Sequence, residues 1–248
     1  MKTGLQHEIE STPLVLAAPD APFWGFGELF MMAAIFLVAL GLVGGGAIGV
    51  LHENAKLGYW QVVEESLAYL ALFAALKVLF FWAGKPLFRS LGWTVYPVPA
   101  MSLLSIGFAL SAVSAVLLVL LRTPQIQTPF DKLLNGDPFS RLVIVAFGIT
   151  LGPVIEEWLF RGFVQPVLVS AAGVFPGILI TSLFFGALHL SQNAGLWQSG
   201  VVITLAGFAF GLIRHITGST RASAITHIGY NTLPFLLTLS QGANPVHK

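Results

Sequence analysis

Three pairs of residues spaced by four carry most of the chemical potential of this chain: Glu157 with Arg161, Phe185 with His189, and His227 with Asn231. That spacing sets each pair on one face of a helix. Glu157 precedes Arg161, the favourable order for a helical ion pair, and the neighbouring Glu156 points about 100° away. A division of labour is expected, in which Arg161 holds Glu157 as a structural carboxylate and Glu156 faces a cavity. Pro153 would help to open that turn, because proline removes a backbone donor. Peptide hydrolysis needs a base for water, donors for the developing oxyanion and a proton source for the leaving amine. Glu156 and His189 would share the acid and base roles, and His227 and Asn231 would face the oxyanion. The reading requires no cofactor. A zinc site built on Glu156, His189 and His227 is the alternative, since two imidazoles and a carboxylate with an open position is a hydrolytic zinc arrangement. The helical zinc signature HExxH is absent, because His52-Glu53 is followed by Asn54-Ala55-Lys56.

Each array also has a structural reading. Glu156-Glu157 could mark a helix end at the headgroups, His189 an interfacial residue, and His227 with Asn231 an interhelical hydrogen bond. An internal control exists in Glu64-Glu65, a second acidic pair with no arginine four residues on. It is expected to be interfacial, at the head of its span near the positive end of a helix dipole. The three arrays fall in three of the last four hydrophobic spans, where a central charge costs about 2.5 to 3.5 kcal/mol or more. Their coincidence points to one buried polar site.

The elements that must position that site are membrane helices. The chain is 56% hydrophobic and 9% charged, with mean hydropathy +0.83, whereas soluble domains carry about 25% charged residues. Seven stretches, 23–51, 62–84, 99–121, 141–165, 172–190, 199–217 and 222–240, have the length for a helix to cross roughly 30 Å of hydrocarbon. The fold class is therefore all-α, a polytopic helical membrane protein with about seven transmembrane helices. A polar tail (1–22) precedes a single membrane domain (23–240), with its catalytic core at 140–240 and a short tail at 241–248. The tail lacks the basic and early apolar regions of a cleavable signal peptide. Between spans lie short turns such as His52-Glu53-Asn54 and one longer polar loop, Arg122 to Ser140. Pro124, Pro129, Asn135-Gly136 and Pro138 are expected to keep that loop free of helix. Gly44-Gly45-Gly46, and Gly207 with Gly211, would let neighbouring backbones approach closely.

Other classes are excluded or disfavoured. A net charge of +1 gives no footprint for nucleic acid. The absence of cysteine removes disulfides, thiolate metal sites and a cysteine nucleophile. Neither a GxSG nor a GxGD intramembrane-protease motif is present. The positive-inside rule does not orient the chain: Lys2, Lys85, Arg89, Arg214 and Arg221 fall on one side, and Lys56, Arg122, Lys132, Arg141 and Lys248 on the other. A proton-coupled transporter would explain buried ionisable groups, but no inverted repeat is visible. A non-catalytic immunity or scaffold protein is a third possibility.

In order and placement the arrays resemble the EExxxR, FxxxH and HxxxN motifs of the CAAX-protease and bacteriocin-processing (CPBP, or Abi) family, over roughly residues 140–240. The resemblance implies an intramembrane protease of the cell membrane whose site opens towards the cytoplasm. It implies a lipidated or membrane-bound peptide or protein as substrate, with membrane lipids as surroundings. It also implies that Glu156 and His189 activate water while His227 and Asn231 stabilise the oxyanion. The family's prenyl-protein proteases have eight spans where seven are counted here.

Overall fold

The computed structural model describes residues 21–51 and 57–242, and every regular element among them is helical. The polar tail up to residue 20, the turn at His52-Glu53-Asn54, the last residues 243–248 and the lysines Lys2, Lys56 and Lys248 lie outside the described residues, as do the surroundings of Gly44, Gly45 and Gly46.

The seven hydrophobic stretches are all helical. The first three are α1 (Phe26–Leu51), α2 (Leu57–Trp82) and, after the short α3 (Leu87–Ser90), α4 (Ala100–Leu120). The fourth is a composite of α6 (Pro138–Ile149), α7 (Leu151–Glu157), a π-helical turn (Trp158–Val164) and α8 (Gln165–Ala172), preceded by α5 (Pro129–Leu134). Then follow α9 (Val174–Leu188), α10 (Trp197–Thr217) and α11 (Thr220–Gly242). Four segments among the described residues are long and apolar enough to cross a membrane: Phe26–Val43, Ala100–Leu120, Pro138–Ala172 and Trp197–Thr217. The remaining hydrophobic helices carry polar residues or are shorter. α2 carries Glu64, Glu65 and Lys77, α11 carries the polar site face, and α9 has 15 residues, about 22 Å of helix at 1.5 Å per residue.

The side chains point the way a membrane demands. Phe30, Leu37 and Leu42 on α1 and Val113, Val116 and Val119 on α4 are exposed, which suits a hydrocarbon solvent and would be an aggregation hazard in water. Polar groups turn inward: Glu157, Arg161, Ser223, Thr226 and His227 are buried.

Two expectations are corrected. The 122–140 loop contains a helix, because Pro129 and Pro138 stand at first-turn positions where a missing N–H costs no intrahelical bond. Thr128 and Asp131 form a capping box on α5, and Asp137 caps α6. The second correction concerns Gly207 and Gly211 of α10. They admit side chains rather than a neighbouring backbone: a Cβ at Gly207 would lie 3.0 Å from Arg161 Nη2 and from the Phe185 ring, and one at Gly211 2.6 Å from Ile178. Close backbone approach occurs instead between α4 and α11, where a Cβ on Gly107 would overlap the Thr226 carbonyl oxygen and one on Gly229 the Leu104 carbonyl.

Candidate active site

The site begins with a break in the fourth hydrophobic stretch. α6 ends at Thr150 (φ −126°, ψ −85°) and α7 starts at once, with Pro153 in its first turn. Pro153 has no N–H to offer the carbonyl four residues back, so a helix cannot run through unbroken without loss. After Glu157 the chain widens into the π turn, and the long stretch ends at Gly173, whose φ of 90° suits glycine alone. The break frees last-turn carbonyls of α6. One of them, on Gly148, accepts from Asn231 Nδ2 at 2.8 Å.

Glu157 is the fully buried centre of a donor network. Its Oε1 receives Arg161 Nη1 at 2.9 Å and His227 Nδ1 at 3.0 Å, and its Oε2 receives Ser223 Oγ at 2.5 Å. Arg161, also fully buried, donates in addition to the Gly207 carbonyl at 2.8 Å and lies 4.5 Å from the Phe185 ring centroid. One turn on, Gln165 donates to the Gly211 carbonyl at 3.1 Å, so the glycine pair of α10 matches an Arg161/Gln165 pair of the same spacing. A buried carboxylate survives in such a place because an arginine and further donors saturate it.

The hydrogen bonds assign the histidine protons. His189 caps α9, and its Nδ1 lies 2.7 Å from the Phe185 carbonyl oxygen. A carbonyl can only accept, so Nδ1 carries the proton and Nε2 keeps a lone pair in the neutral ring. In His227, Nδ1 faces the carboxylate of Glu157 and is likewise the donor, which leaves Nε2 at 3.8 Å from Glu156 Oε2. The His227 ring stacks on buried Phe210 at 4.5 Å and 25°. Phe185 packs between the two histidines, tilted by 50° against His189 at 4.6 Å and T-shaped to His227 at 5.7 Å.

Glu156, His189, His227 and Asn231 line one cavity of about 260 Å³, together with Phe185. Glu156 remains 21% exposed beside the fully covered Glu157. The cavity is bordered by α5 and the turn after α9, which are joined by the Phe130 N–H donating to the Gln192 carbonyl at 3.2 Å. Among the described residues, no group of three His, Asp or Glu side chains converges to hold a metal ion.

Three participants escaped the sequence reading. Ser223 stands four residues before His227, so the same spacing that selected Asn231 would have found it. Phe210 carries no local signal. Glu65, read as interfacial with Glu64, lines the cavity, because α2 starts at Leu57, five residues before its hydrophobic stretch, and sets Glu65 more than two turns inside.

Residues 137–233 match the family described as Rce1-like, the type II CAAX prenyl endopeptidases. The match begins at the cap of α6 and extends two residues past Asn231, enclosing all three arrays. Over these residues, which make up less than half of the chain, the sequence is similar to the Rce1-like family. That family comprises proteases, enzymes that hydrolyse peptide bonds, and the chain is a membrane protein. No curated protein and no solved structure matches the chain significantly. α1, α2 and α4 lie outside the Rce1-like match.

Proposed function

We propose that the protein is an intramembrane endopeptidase of the cell membrane that hydrolyses a peptide bond in a lipidated or membrane-bound substrate near the membrane surface. The observation that carries this reading is the convergence of Glu156, His189, His227 and Asn231 on one cavity, with Glu157 and Arg161 locked behind it.

A water between Glu156 and His189 Nε2 meets two acceptors, so both of its protons are held while its oxygen lone pair is free to attack. Glu156 takes one proton as the carbonyl carbon is attacked and returns it to the leaving amine. The oxyanion needs donors. Asn231 has one amide N–H left beside the one given to Gly148. His227, with Nδ1 committed to Glu157, donates from Nε2 only when both ring nitrogens carry protons, so Glu157 acts as the anionic partner of an imidazolium. Phe185 orients both imidazoles.

The test is cleavage of a membrane-proximal peptide reporter by purified protein in proteoliposomes. Glu156→Gln and His189→Ala are expected to abolish cleavage while the protein stays folded in the membrane. Full activity in Glu156→Gln would sink the mechanism.

A further inference from the structure

The charge balance of the cavity constrains the substrate. Among the described residues that line it there are two carboxylates, Glu65 on α2 and Glu156 on α7, and no lysine or arginine. Arg161 does not line it and is already engaged by Glu157 and the Gly207 carbonyl. Glu65 and the buried Glu157 behind the cavity are provided for very differently. Glu157 has three donors, whereas Glu65 receives one long hydrogen bond among the described residues, from Gln61 Nε2 at 3.3 Å. Neighbouring side chains add acceptors. Gln61 uses its amide nitrogen on Glu65, and Asn193 uses its own on the His189 carbonyl at 2.9 Å, so each has its amide oxygen to spare. Glu65 therefore stands on the cavity wall beside amide oxygens, with no lysine or arginine among the described lining residues to pair with it.

We infer that the substrate carries a lysine or arginine side chain close to the scissile bond, and that Glu65 receives it. This rests on the peptidase reading above and adds a specificity-determining residue to it. An ammonium or guanidinium entering the cavity would be balanced by Glu65 and would find the amide oxygens of Gln61 and Asn193 as further acceptors. An acidic side chain placed beside Glu65 would meet like charge. The preference follows from the cavity wall formed by α2, which lies outside the segment that matches the Rce1-like family.

The experiment uses full-length protein in proteoliposomes and a membrane-anchored reporter series identical except for Lys, Gln or Glu at each position flanking the cleaved bond. The Lys reporter is expected to exceed the Gln reporter by at least about tenfold in kcat/KM, as for a hydrogen bond to a charged group, with the Glu reporter weakest. In Glu65→Gln the preference should collapse to within about twofold, in Glu65→Asp it should persist, and in Glu65→Lys it should invert. Equal rates for the three reporters in the wild type would overturn the inference. So would a loss of kcat in Glu65→Gln that leaves the preference ratio intact, which would put Glu65 on the proton path instead. A second arm measures binding of the same peptides to the Glu156→Gln protein. Tighter binding of the Lys peptide that depends on Glu65, with no reporter cleaved by the wild type, would refute the peptidase reading and leave cation recognition standing. Cleavage without charge preference in either arm would do the reverse.

Discussion

Arg161→Met isolates the network behind the cavity. The variant keeps a long unbranched side chain and removes the guanidinium from a fully buried position. Three interactions go with it: the 2.9 Å ion pair to Glu157, the 2.8 Å bond to the Gly207 carbonyl and the contact with the Phe185 ring at 4.5 Å. Breaking one side of a buried ion pair costs about 3–5 kcal/mol, because the survivor is left as an uncompensated charge. Ser223 and His227 still donate to Glu157, which places the expected loss near the lower end, about 3 kcal/mol. Adding Glu157→Gln removes the stranded charge, so the double variant should recover about 1 kcal/mol or more relative to Arg161→Met. Cleavage should remain low in the double variant, since His227 has lost its anionic partner. Unfolding equilibria in bicelles, with reporter cleavage measured on the same samples, provide the assay. A stability for Arg161→Met within about 0.5 kcal/mol of wild type, or a double variant less stable than either single one, would refute the reasoning.

Two further outcomes follow from the packing and the donor set. Gly107→Ala should destabilise the protein by about 1–3 kcal/mol and lower cleavage together with stability, because the new Cβ would strike the Thr226 carbonyl and displace the helix that carries His227 and Asn231; unchanged unfolding and activity would count against the α4–α11 contact. Cleavage should survive a strong chelator, and metal analysis of the purified protein should find no stoichiometric zinc; bound zinc whose removal ends cleavage would establish Glu156, His189 and His227 as its ligands.

Residue type and spacing alone marked out the helical membrane class, the Glu157–Arg161 pair and the separation of Glu156 from Glu157. The reason is that helix geometry converts a spacing of four into a shared face, and hydrocarbon makes every buried charge conspicuous. What lies across a helix boundary was not legible. That Asn231 donates to Gly148 depends on a break at Thr150, and that His227 donates to Glu157 depends on α11 lying against α7, 70 residues away in sequence. Glu65 was misread because hydropathy locates apolar residues, not helix ends, and α2 begins before its apolar run. Gly207 and Gly211 looked like a helix-packing pair, yet only the fold brings Arg161 and Gln165 opposite them. Local chemistry is written along one helix, whereas a proton's assignment depends on the acceptor that a second helix brings to it, and only tertiary packing supplies that partner.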